Sequence, residues 1–92
     1  MKQNLTEHGL AFPQVHLNGT SKEALEEGLR DAAAAVEKAR EMLQGAAPHG
    51  RDYYVQTSAA FTLAQAQHLK RLESLNTIYT ELTEVWEAVA NQ

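Results

Sequence analysis

Six apolar residues in the first half of the chain, Leu25, Leu29, Ala32, Val36, Ala39 and Leu43, follow one another at intervals of four and three. That spacing lays one stripe along a helix, and a strand cannot use it, because a strand buries alternate residues. The alanines in the stripe let a partner helix approach closely. Just ahead stands the pattern T-x-x-E, Thr20 with Glu23. It reads as a capping box in which the hydroxyl accepts from the Glu23 amide and the carboxylate reaches back to the Thr20 amide. Gly45 and Pro48 follow the last apolar position and stop a helix there. The spacing therefore predicts a helix over residues 20–44.

A second stripe, Phe61, Ala64, Leu72, Leu75, Tyr79, Leu82, Trp86 and Val89, predicts a longer helix over residues 58–90, with Ile78 and Val85 widening its apolar face. At about 1.5 Å of rise per residue the two helices extend roughly 37 and 48 Å, so neither can be fully covered by the other. Between them residues 45–57, GAAPHGRDYYVQT, form a connection longer than is usual between bundle helices. Residues 1–19 bring Leu5, Leu10, Phe12, Val15 and Leu17, while Gly9 and Pro13 forbid one long helix. A short helical turn followed by extended chain docked on the hairpin is expected there. The fold class is all-α: one domain over residues 1–92, an antiparallel two-helix hairpin with a short N-terminal segment. A domain of this size buries a modest share of its surface, so assembly into a symmetric homo-oligomer is expected.

Charge narrows the partners. A formal net charge of −4 opposes binding of a long polyanion, so long nucleic acid is not an expected partner. Residues 72–92 carry Glu73, Glu81, Glu84 and Glu87 without a lysine or arginine, whereas residues 49–71 carry Arg51, Lys70 and Arg71 against Asp52 alone. The absence of cysteine removes disulfides, thiol nucleophiles and thiolate metal sites. No apolar run approaches a membrane span, and a cytoplasmic protein without a membrane partner is expected.

Catalytic motifs are missing. The histidines at 8, 16, 49 and 68 form no H-x-x-x-H pair, and neither a phosphate loop nor a nucleophile elbow is present. No enzyme activity, metal site or cofactor is expected. His68 falls on the stripe of the second helix, where a core or interface histidine is the expectation.

The stretch HLNGTSKEAL, residues 16–25, is more informative. After the turn at Asn18 and Gly19, the first helical amides and the positive end of the macrodipole point outward, with Thr20 and Lys22 beside them. Such a cradle suits a phosphate, although the same residues serve equally as a helix cap with a solvated lysine. Phe12, on extended chain just before it, is placed either to stack on a nucleobase or to pack on the hairpin. A second cluster, His49, Arg51, Tyr53 and Tyr54, has residue types that suit phosphate and base contacts, or an Arg51–Asp52 ion pair with tyrosines closing the core. Lys70 and Arg71 form a third basic point. By helix rise Lys22 and Arg51 stand more than about 30 Å apart in a hairpin, so a site that uses both is built between subunits.

The runs H-L-N-G-T-S at residues 16–21 and G-R-D-Y-Y at residues 50–54 resemble small phage-encoded helical-hairpin proteins, the family of the phage anti-CBASS cyclic-oligonucleotide sponges that is related to the Thoeris anti-defence sponges. The resemblance covers about residues 12–90. It implies a homo-oligomer, a hexamer as in the family, that sequesters cyclic di- or trinucleotides in an infected bacterial host without cleaving them. It further implies a base-stacking role for Phe12, a phosphate contact for Lys22, and contacts from a neighbouring subunit's second helix at Arg71 and Asn76. Pro13 directly after Phe12, and the short interval from Phe12 to Lys22, depart from the family pattern. The alternative is a structural or adaptor protein whose helix stripe binds a partner helix.

Overall fold

A computed structural model of the chain describes residues 9–92. Two helices dominate it: α1, Lys22–Gln44, and α2, Ser58–Ala90, joined by a connection that contains a single 3-10 turn, Gly50–Asp52. Among the described residues there is no strand ladder, and the two helices pack on each other as a hairpin. Residues 9–21 form no helix. The short helical turn expected near the start of the N-terminal segment, with Leu5 and His8, lies outside the described residues.

The start of α1 corrects the expected capping box. The helix begins at Lys22, two residues later than residue 20, and Ser21 in extended conformation is its N-cap. The Ser21 Oγ accepts from the Ala24 amide at 3.1 Å, so serine takes the place assigned to Thr20, and Glu23 falls in the first turn rather than at the reciprocal position. The adjacent hydroxyl residues made both registers available, and either satisfies one exposed amide of the helix start. At the other end the Gly45 amide donates to the Glu41 carbonyl at 3.3 Å and the Ala46 amide to that of Leu43 at 3.0 Å, closing the helix where Gly45 and Pro48 direct.

The buried stripe of α1 also differs in detail. Leu25, Leu29, Val36 and Leu43 are half-buried, as their spacing requires, but Ala32 and Ala39 are exposed while Ala33 and Arg40 turn inward. A straight helix drifts relative to a strict four-three repeat, which shifts the contact face by one position. Arg40 tolerates its half-buried place because its aliphatic stem covers apolar surface. Its guanidinium donates to Glu37 Oε1 at 2.8 Å. That hydrogen bond, with the charge of Glu37, raises the Arg40 pKa above its ordinary value.

Two further segments dress the hairpin. The connection lies against the first turns of α2, with the Tyr53 and Phe61 rings 5.9 Å apart at a 37° tilt. At the opposite end, Gln92 clamps the N-terminal segment: its Nε2 donates to the Pro13 carbonyl at 2.7 Å, and its Oε1 accepts from the Val15 amide at 2.7 Å. The interior is thin. Among the described residues Val89 is the fully buried apolar side chain, and His68, 7% exposed, is the buried polar one. The radius of gyration is 18.7 Å, against about 12 Å for a compact domain of this length.

Candidate functional site

The turn before α1 is built by two close contacts. The Gly19 amide donates to the His16 carbonyl at 3.2 Å, and the His16 ring folds over Gly19. Asn18 and Thr20 are exposed on this turn, and Leu17 stands 98% exposed beside them. Lys22, the first residue of α1, is half-buried. Its ammonium donates to the Gln92 carbonyl at 3.3 Å and lies 4.0 Å from Glu26. The chain thus gathers Asn18, Thr20 and Lys22 at the end of the hairpin where α2 finishes. Ser21 already satisfies one amide of the helix start, and Lys22 already has two polar neighbours.

Phe12 is half-buried on the strap that Gln92 holds. Leu10 of the same strap, together with Asn76, Thr77, Thr80, Glu81 and Glu84 of α2, rings a depression of about 310 Å³. Asn76 therefore sits beside two carboxylates. A phosphate placed there would be repelled unless cations arrive from elsewhere.

Arg51 and Tyr54 belong to the far end. The His49 Nδ1 accepts from the Arg51 amide at 3.1 Å and starts the 3-10 turn, leaving the Arg51 side chain exposed. Tyr53 turns inward onto Phe61, whereas Tyr54 is 78% exposed. Both tyrosines line a recess of about 400 Å³ with Gly50, Gln56 and Phe61. Arg71 is exposed along α2. The 23 residues of α1 alone span about 34 Å, so the groups near Lys22 and those near Arg51 stay apart within one chain.

A larger groove of about 480 Å³ runs between the helices, floored by Ala33 and Ala34 and walled by Tyr79 and Trp86. Arg30 and Lys38 of α1 flank it, as do Glu37 and Glu41. The indole Nε1 of Trp86 is buried without a hydrogen-bond partner among the described residues. Sequence reasoning placed Trp86 and Tyr79 on the core stripe and did not see the groove. The signal was legible in Arg30, Ala34 and Lys38, which repeat every fourth residue and so flank one side of α1. Gln92 gave no comparable signal, since a terminal amide has no motif.

Among the described residues no group of His, Asp and Glu side chains is arranged to hold a metal ion, and no helix is long and apolar enough to cross a membrane. Comparison of the chain with protein-family models, with curated proteins and with solved structures finds no match.

Proposed function

We propose that this chain is a non-catalytic binding protein that works as a symmetric homo-oligomer and sequesters a cyclic di- or trinucleotide between subunits, shielding a phage from a CBASS-type host defence. The observation that carries the assembly is the thinness of the single-chain interior. The chain exposes 6950 Å², whereas a compact protein of its mass exposes about 5,300 Å². The difference, roughly 1,600 Å² per chain, is about twice the roughly 800 Å² that each partner contributes to a standard protein–protein interface.

The distribution of polar groups supports the ligand class. Lys22 with Asn18 and Thr20 lies at one end, Arg51 with Tyr54 at the other, and Arg71 between them, each too weak alone to hold a multiply charged ring. Repeated copies around a symmetry axis would bring such points together and offset the acidic total. Phe12 and Tyr54 would offer faces on which bases stack, a contact worth about 1–3 kcal/mol per base. In the second reading, an adaptor, the alanine-floored groove beside Tyr79 and Trp86 receives a partner helix.

Thermal unfolding in the presence of micromolar cyclic dinucleotide or trinucleotide separates the two. A sequestering protein gains about 2.7 kcal/mol at a ligand concentration a hundred times the Kd, and returns the ring chemically intact on denaturation. An unchanged melting curve with every ring offered removes the proposal in favour of the adaptor, and recovery of a cleaved ring makes the protein an enzyme.

A further inference from the structure

The outer face of α2 carries three apolar side chains, Leu63, Ile78 and Val85, that the described residues leave wholly or partly exposed. Leu63 and Ile78 are 58% and 46% exposed, and Val85 is half-buried. With Gln67, Lys70, Ser74 and Glu81, all exposed, they fall within an arc of about 80° on a helix of 3.6 residues per turn. The order of these residues is symmetric about Ser74. Leu63 and Val85 stand eleven residues either side of it, and Lys70 and Ile78 four.

We infer that this face is an isologous interface with a second copy of the chain, the two α2 helices crossing antiparallel with Ser74 on the two-fold axis. In that register Leu63 packs on the partner's Val85, and the stem of Lys70 lies over the partner's Ile78. The Lys70 ammonium then reaches the partner's Glu81, one helical turn along. The charge layout favours antiparallel pairing over parallel. On this face Lys70 and Arg71 lie ahead of Ser74 and Glu81 lies beyond it, whereas Glu84 and Glu87 are turned about 80° and 140° away. Glu73 lies about a quarter turn off the stripe. A parallel pair in the same register would set Lys70 on Lys70 and Glu81 on Glu81, whereas the antiparallel pair brings each Lys70 toward the partner's Glu81.

Ser74 suits the axis for two reasons. It is small, so the backbones approach closely, and its hydroxyl already donates to the Lys70 carbonyl at 3.0 Å, so burying it strands no donor. The inference rests on the assembly in the proposed function but not on its ligand. It also accounts for apolar surface that the hairpin itself leaves in water.

The absence of cysteine makes a direct test available. Ser74→Cys, oxidised with copper phenanthroline, should give a disulfide-linked dimer at a small molar excess of oxidant, because symmetry holds the two sulfurs together. Ala35→Cys, on an exposed position of α1, should stay monomeric on a denaturing gel. By light scattering Ile78→Glu should raise the dimer dissociation constant at least tenfold with helicity by circular dichroism unchanged. Lys70→Glu should weaken the dimer, and adding Glu81→Lys should restore it. A monomeric wild type at tens of micromolar overturns both the inference and the assembly. An oligomer that survives Ile78→Glu, with Ser74→Cys no more cross-linked than Ala35→Cys, overturns this interface alone and leaves the proposed function standing.

Discussion

The His16 imidazole lies over Gly19 so closely that a Cβ at position 19 would fall 2.6 Å from its Nε2. The glycine is thus required by contact with a ring rather than by a left-handed backbone, since Gly9 is the described glycine with a positive φ. Gly19→Ala should cost about 1–3 kcal/mol, the usual range for forcing atoms into filled space. Gly28, inside α1 with nothing within 4 Å of its would-be Cβ, should behave oppositely. Gly28→Ala should stabilise by about 0.5–1 kcal/mol. Urea unfolding followed by circular dichroism measures both, and a Gly19→Ala variant as stable as wild type means that the ring swings away freely.

The cap of α1 gives a second discriminating pair. Ser21→Ala removes the acceptor of the Ala24 amide and should cost about 1 kcal/mol, whereas Thr20→Ala should change stability by only a few tenths. The reverse ranking would restore the capping box read from Thr20 and Glu23.

Much of the architecture was legible because hydrophobic period and chain punctuation agree. Leu25, Leu29, Val36 and Leu43 gave the face of α1, and Gly45 and Pro48 gave its end. The start of α2 at Ser58 and its finish at Ala90 followed from the length of the second stripe. Less was legible where two registers were equally good, as with Thr20 and Ser21, or where a straight helix drifts from a strict repeat, as with Ala32 and Ala33. The clamp of Gln92 on Pro13 and Val15 joins residues far apart in sequence through an amide side chain, which no local pattern encodes. Among the candidate site residues, Asn18, Thr20 and Lys22 fall together because they lie within one five-residue stretch. The surroundings of Asn76, with Glu81 and Glu84 beside it, were less predictable because they depend on where the strap lies.

Trp86 tests the energetics of the groove. Its buried Nε1, without an acceptor among the described residues, carries a desolvation cost of about 1–3 kcal/mol. Trp86→Phe keeps most of the apolar contact and discards that donor, so stability should stay within about 1 kcal/mol of wild type or rise. Trp86→Ala, which also discards the ring, should lose about 3–5 kcal/mol. If the phenylalanine variant loses as much as the alanine one, the indole N–H has a partner in solution, and the second copy or a ligand is where to look for its acceptor.

Lys22 separates a binding role from a structural one. Its contacts within the chain, the Gln92 carbonyl at 3.3 Å and Glu26 at 4.0 Å, are long, and its side chain is 33% exposed. Contacts of that kind contribute about 0–1 kcal/mol, so Lys22→Ala should leave the melting temperature within a few degrees of wild type. A lysine that donates to a phosphate contributes about 1.5–3 kcal/mol, so the same substitution should weaken cyclic-nucleotide binding about tenfold to a hundredfold in a calorimetric titration. Glu26→Gln removes the competing carboxylate and should strengthen binding, most visibly at low ionic strength, where the charge of Glu26 is least screened. Affinity unchanged in both variants, together with a clear loss of stability in Lys22→Ala, would assign this lysine to fastening the end of α2 and take the turn before α1 out of the binding site.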